Sequence, residues 1–268
     1  MFKAKRLSLF TGKGGVGKSS CSLAYAKMLQ EKKLTVHYVT FSPGFTQKID
    51  LCEKLDIIYE DLQFQNALKE YLIQKTGTEF FSSILMESSF FKALLNIQPS
   101  FEYLVLISKL VNEILKNENE FFILDSPSTG HALSMIESIF NYEKIFTIGP
   151  LKKDILKVKN FLTNPDLIDY FIVANPEEMS LEESHGLSES FLKIDPTINC
   201  KIILNKILDK NLEVIQTTTY WKNLFELQKE NLTNWVKKMN FYQELPYVPS
   251  KNNLDLILQL ANAYKVNP

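Results

Sequence analysis

The sequence predicts an α/β fold, in which a mostly parallel sheet carries helices on both faces and a helical insert interrupts the alternation. Three observations predict it. Short apolar runs of strand length recur along the chain, most of them separated by helix-sized segments. Each run closes on polar or turn residues, and one stretch, about 50–120, is too long for a single crossover and repeats its apolar residues at helical spacing. A chain of 268 residues is long for one average domain and short for two, so a single domain over 1–268 is expected, with the insert inside it.

Taken in order, Leu7 to Phe10 is an apolar run closed by Thr11-Gly12-Lys13-Gly14-Gly15, and Lys18 to Glu31 is compatible with a helix. Val36 to Phe41 reads as the second strand. Within the insert, Tyr103, Ile107, Leu110, Val111 and Ile114 fall on one helical face. Phe80-Phe81, Ile84-Leu85-Met86 and Phe90-Phe91 form a dense apolar patch, which reads either as core or as an adaptable groove for an apolar partner. Phe121 to Leu124 reads as a third strand ending at Asp125, and Ile145 to Ile148 as a fourth ending at Gly149-Pro150. Phe171 to Ala174 and Ile202 to Leu204 add two more, with a helix-sized segment from Met179 to Leu192 between them. Leu254, Ile257, Leu260, Ala261 and Tyr264 suggest an amphipathic C-terminal helix that packs on the sheet.

Composition narrows the function. Thirty Lys and Arg against thirty-one Asp and Glu leave a formal charge of -1, which supplies no long-range field for nucleic acid or an anionic membrane. No apolar run reaches membrane-spanning length, and the polar face of the C-terminal helix lacks the basic residues of a membrane-surface helix. Cys21, Cys52 and Cys200 are scattered and odd in number, which suggests neither a disulfide framework nor a clustered metal site. A cytoplasmic protein is expected.

The strongest chemical signal is Gly12-Lys13-Gly14-Gly15-Val16-Gly17-Lys18-Ser19, a G-x-x-x-x-G-K-[ST] phosphate loop set where a strand turns into a helix. Its glycines let successive backbone N–H groups converge on phosphate oxygens, and the helix beginning at Lys18-Ser19-Ser20 offers unpaired amides to the same anion. Lys18 is expected to reach the terminal phosphates, and Ser19 to offer its hydroxyl to a bridging magnesium ion. Asp125, at a strand end, has the geometry of a carboxylate held near that metal through water; a helix cap is the alternative. Asn205 carries an amide that can pair bidentately with an adenine edge, although a strand-end turn also accounts for it.

The continuation Ser126-Pro127-Ser128-Thr129-Gly130-His131 looks like the D-T-A-P-T-G-H second switch of the arsenical pump-driving and tail-anchored-protein targeting ATPases, within the deviant Walker A class of P-loop nucleotide hydrolases. Asn175-Pro176-Glu177-Glu178-Met179-Ser180-Leu181 resembles that family's P-E-E-M-S-L turn, and Gln98-Pro99-Ser100-Phe101-Glu102 its P-G-x-D-E helix start. Leu204-Asn205-Lys206 resembles its V-N-Q, and Leu245-Pro246 falls at its second adenine-contacting loop. The resemblance implies ATP or ADP with Mg2+ as cofactors, Asn205 and Pro246 at the base, and a protein client at the helical insert. It also implies a homodimer, or a heterodimer with a related ATPase, in which Lys13 reaches the partner's phosphates. Taken alone, Lys13 also reads as a solvated charge, and the resemblance favours the dimer.

Two departures matter. Where the family has S-T-D-P-A-H, this chain reads Thr40-Phe41-Ser42-Pro43-Gly44-Phe45, so Ser42 stands in place of the carboxylate that orients or deprotonates the attacking water. A serine can position water but cannot take its proton, and losing general-base help costs about a hundred to ten thousand in rate. Slow hydrolysis is therefore expected, and Asp50 has no spacing that would make it a substitute. The cysteine pair and thiolate sensor of the family's branches have no counterpart in this chain. Three functions compete: a dimeric nucleotide switch, a nucleotide-binding pseudo-ATPase paired with a catalytically complete relative, and a small-molecule phosphoryl transferase, which leaves Lys13 unexplained.

Overall fold

In the computed structural model of this chain, the described residues are 4–41, 46–78, 100–127, 129–212, 218–235 and 237–266. They form one sheet of seven parallel strands in the order β3-β2-β4-β1-β5-β6-β7. The strands are β1 (Leu7–Gly12), β2 (Thr35–Thr40), β3 (Ile58–Asp61), β4 (Glu120–Asp125), β5 (Ile168–Ala174), β6 (Cys200–Ile207) and β7 (Phe241–Pro246). β1 lies between β4 and β5 and is buried at all six positions, as a central strand covered on both faces must be. The chain leaves β1 toward one edge of the sheet and later crosses to the other, so a crevice opens beyond the carboxyl ends of β1, β4 and β5.

Nine helices lie among the described residues: α1 (Lys18–Gln30), α2 (Thr46–Lys54), α3 (Phe64–Thr76), α4 (Phe101–Lys116), α5 (Thr129–Ile145), α6 (Pro150–Leu162), α7 (Glu178–Ile194), α8 (Thr219–Trp235) and α9 (Asn253–Val266). Two apolar layers sandwich the sheet. Leu29 of α1, Leu51 of α2 and Ile257 of α9 belong to one layer, and α3 through α7 supply the other. The C-terminal helix packs on α1 as well as on β7, with the Tyr264 hydroxyl donating to the Cys21 carbonyl at 3.3 Å. In α4 the expected face is buried at Ile107, Leu110, Val111 and Ile114, and the stripe widens to Leu104, Val105 and Leu106, because α3, α5 and α6 all press against this helix. The aromatic patch of the insert, Phe80 to Phe91, lies outside the described residues.

The structure corrects three strand assignments. Ile145 to Ile148 is no strand: α5 runs on to Ile145, the Phe146 amide bonds the Tyr142 carbonyl at 2.9 Å, and Ile148 is 86% exposed. Three apolar residues and Thr147 before Gly149-Pro150 are here the tail of one helix and the turn into the next, with Pro150 at the start of α6. β3 and β7 were not expected, and both are edges. Ile58 to Asp61 is half exposed, and Phe241 to Pro246 buries only Gln243 and Leu245. An edge strand of a parallel sheet need not be continuously apolar, so neither produces the run that marks β1, β4 and β5. β3 also places a strand inside the stretch read as helical.

Candidate functional site

The glycine loop closes β1 and opens α1, and local sterics dictate its residues. Gly12 has φ +152°, and a Cβ there would collide with the Val173 carbonyl of β5. Gly17, at φ +89°, is the left-handed N-cap of α1, where a Cβ would meet the Asn205 amide. Gly14 and Gly15 face open space. No side chain caps α1 and no acid occupies its first turn, so its leading amides and positive dipole end stay available to an anion.

Two residues near the end of β6 grip this loop from behind. Asn205, 4% exposed, donates its amide N–H to the Val16 carbonyl at 2.8 Å. Lys206, itself in the left-handed region at φ 59°, donates to the Gly15 carbonyl at 3.2 Å. Asn205 was expected at an adenine edge; in the structure its N–H group holds the loop. Pro246 ends β7 opposite Ile207, and beside it a cavity of about 270 Å³ is lined by Asn175, Pro176, Lys206, Trp221, Gln228 and Tyr247. The Trp221 and Tyr247 rings lie 5.6 Å apart, so its wall is aromatic, and Lys206 belongs both to this cavity and to the loop.

At the mouth of the loop stands Asp125, the last residue of β4, its side chain 2% exposed. Its neighbour Ser126 donates both its backbone N–H, at 3.1 Å, and its hydroxyl, at 2.8 Å, to the Phe10 carbonyl, pinning the end of β4 to β1. Ser19 Oγ donates to Asp125 Oδ2 at 2.7 Å, and Lys48 Nζ lies 2.7 Å from the same oxygen. Lys18 Nζ donates to the Ser126 carbonyl and sits 3.5 Å from Oδ1, which accepts no hydrogen bond. Burial pushes the Asp125 carboxyl up, but Lys18, Lys48 and the hydrogen bonds from Lys48 and Ser19 outweigh it and hold it below the ordinary carboxylate range. Burial lowers Lys18, with Lys48 repelling it further and Asp125 opposing both.

These residues fit a nucleotide tail. An anion has the uncapped helix end and Lys18, and a hard divalent cation has two oxygens, Ser19 Oγ and Asp125 Oδ2, that already converge. Lys13, expected at a partner's phosphates, and Asp50, set aside on its spacing, both lie away from this cluster. Lys13 reaches outward to Glu183 Oε1 of α7 at 2.7 Å, both side chains about two-fifths exposed. Asp50 is paired with Lys54 at 2.7 Å on the surface of α2. Ser42 lies outside the described residues. Cys21, Cys52 and Cys200 are free and buried, and burial pushes the Cys52 and Cys200 thiols up to about 12. No group of three or more His, Cys, Asp or Glu among the described residues could hold a metal, and no helix among them is long and apolar enough to cross a membrane. Sequence reasoning missed Lys48 and Glu183, and it named Ser126 and Lys206 within motifs without giving either a role at the loop. Lys206 adjoins a residue already singled out, whereas Lys48 lies in no motif and only the fold brings it to Asp125.

Comparison with known proteins agrees with the geometry. A protein of Aquifex aeolicus (strain VF5) named an arsenical pump-driving ATPase is 23% identical over 244 residues, covering 77% of this chain and 81% of its own length. An ATPase ASNA1 homolog of Entamoeba dispar is 24% identical over 272 residues, covering 82% of this chain and 81% of its own length. ATPase GET3 of Kluyveromyces lactis is 21% identical over 271 residues, covering 82% and 77%. The family of anion-transporting ATPases matches residues 5–155 and 141–247, so the match takes in the phosphate loop, Asp125 and the strand-end residues Asn205 and Pro246. With loop, carboxylate and parallel sheet in one frame, this chain belongs to the anion-transporting ATPase family.

Proposed function

We propose that the chain is an ATP-binding, slowly hydrolysing dimeric switch that couples its nucleotide state to a partner protein. The observation that carries this reading is the meeting of Lys18, Ser19 and Asp125 at the mouth of the glycine loop. The loop amides and Lys18 bind and orient the β- and γ-phosphates, and Ser19 and Asp125 hold the metal side of the tail. Magnesium, held by Ser19 and Asp125, would supply positive charge to offset that of the phosphates. Asp125 begins the segment that leads into α5, so a γ-phosphate sensed there is felt by a helix packed against the insert helix α4. Lys13, about two-fifths exposed and paired with a similarly exposed glutamate, can exchange that partner for the phosphates of a second copy. The aromatic cavity beside Lys206 is the natural place for the base. Free cysteines in odd number fit a reducing cytoplasm.

Mass measurement of the purified chain with Mg2+, with and without a non-hydrolysable ATP analogue, tests this. Pairing of subunits only with the analogue, and its loss in Lys13→Glu, is expected; an unchanged mass in all samples refutes the switch. One observation favours a second reading, a pseudo-ATPase paired with a complete relative. Asp125 already accepts Ser19 and Lys48, Asp50 is tied to Lys54, and position 42 is a serine, so a free general base is wanting at these positions. Absence of turnover by the pure protein, with nucleotide still bound, selects that reading.

A further inference from the structure

Asp125 is neutralised twice. Lys18 belongs to the loop and approaches Oδ1 at 3.5 Å, where it also serves the phosphate site. Lys48 comes from α2, and its ammonium makes the closer contact, 2.7 Å from Oδ2. That oxygen also accepts the Ser19 hydroxyl at 2.7 Å, so the ammonium stands beside the two hard oxygens offered to a divalent cation. An ammonium and a hydrated magnesium ion cannot both use this oxygen at close range, because each demands its lone pairs and like charges repel. The Asp125 side chain is 2% exposed whereas that of Lys48 is 27% exposed, so the carboxylate is fixed and the ammonium is the member of the pair with water to retreat into.

We infer that Lys48 is a specificity-determining residue that sets the magnesium affinity of the site, acting as a resident cation which the metal must displace from Asp125. The inference rests on the nucleotide site proposed above and adds a property to it. Without metal, Lys48 compensates the charge of the Asp125 carboxylate, so the triphosphate meets no unpaired negative charge and nucleotide binds weakly but measurably. With metal, the ammonium leaves Oδ2 and is released toward solvent or the phosphate oxygens. Magnesium is thus taken up at the cost of an ion pair, and half-saturation requires a higher concentration than the oxygens alone would need.

The experiment measures the affinity of the full chain for ADP and for a non-hydrolysable ATP analogue by calorimetry, across free Mg2+ concentrations starting from chelator alone. Wild type is compared with Lys48→Met, Lys48→Gln and Lys48→Arg, each checked for an intact thermal transition; two neutral variants guard against one failing to fold. The midpoint of the magnesium dependence is expected to fall by at least about tenfold in both neutral variants, the lower end of what close charge pairs contribute. Lys48→Arg, which keeps the charge, stays near wild type. An unchanged midpoint in the neutral variants overturns the inference while leaving the nucleotide site standing. Loss of nucleotide binding in them at every magnesium concentration also overturns it, by making Lys48 a phosphate ligand. If wild type binds neither nucleotide, with or without metal, the inference falls together with the reading it rests on.

Discussion

Replacing Asp125 by Asn probes the charge arrangement at the loop mouth. The amide keeps an oxygen for the Ser19 hydroxyl but removes the charge that faces Lys18 at 3.5 Å and Lys48 at 2.7 Å. Lys48, 27% exposed, can turn its ammonium into water, so its loss is small. Lys18, at 16% exposure, cannot do so without leaving the Ser126 carbonyl, and stranding a buried charge costs about 3 to 5 kcal/mol. Taking the lower end because Lys18 keeps that carbonyl, Asp125→Asn loses about 3 kcal/mol, and a urea slope near 3 kcal/mol per molar makes this a midpoint shift of about 1 M. Urea unfolding of nucleotide-free protein, followed by circular dichroism, reads it directly. The deficit should shrink when a polyphosphate anion is added, since the anion replaces the missing charge, and when Lys48→Met is combined with it, since one of two repelling ammoniums is gone. The pH sign follows from the depressed carboxyl. Its contribution in the wild type is fully present above the unfolded value, about 3.9, and is lost as pH falls through the lower folded value. The variant lacks that acid limb. A midpoint within experimental error of wild type, or a deficit indifferent to both anion and Lys48→Met, refutes the reasoning.

Other expectations follow from the same geometry. Lys18→Ala should weaken ATP binding at least about thirtyfold by calorimetry, the effect of removing one member of a desolvated charge pair, with little change in circular dichroism. Ser42→Asp should raise ATP turnover toward the factor of about a hundred or more that a general base supplies, and an unchanged rate in a phosphate-release assay would remove position 42 from the mechanism. His37 bridges Glu60 and Glu120 across β3, β2 and β4; burial lowers its pKa, but the hydrogen bonds and charges of the two carboxylates outweigh this and raise it. Its contribution to stability is therefore full below about 6.5 and is lost as pH rises through the higher folded value, so melting temperatures of wild type and His37→Gln should converge on the alkaline side.

What the sequence revealed and what it concealed divide along physical lines. β1, β4 and β5 were legible because strands buried on both faces are mostly apolar, with Ser8 and Asp169 too few to hide the run, and the loop was legible because anion binding puts glycine, lysine and serine at fixed spacing. β3 and β7 were hidden because edges tolerate Glu60, Gln243 and Glu244, which break the run. Ile145 to Ile148 misled because a short, mostly apolar run satisfies a strand and a helix terminus equally. Lys18, Ser19 and Asp125 were readable from spacing and context, but Lys48 was not: a lysine on a polar helix carries no mark of the carboxylate it will meet, and that meeting depends on how α2 packs on β3 and brings Lys48 to the end of β4.

A peptide unit points its C=O and its N–H in opposite directions, and this gives the grip of Asn205 and Lys206 a meaning beyond attachment. By drawing the carbonyls of Val16 and Gly15 rearward, they turn the matching hydrogens outward before any ligand arrives. Preorganisation of the cradle thus comes from residues far along the chain. A fragment that stops short of them would carry every letter of the phosphate motif and yet present a floppy bend, so the sign of binding competence in this chain is completion of its sixth strand.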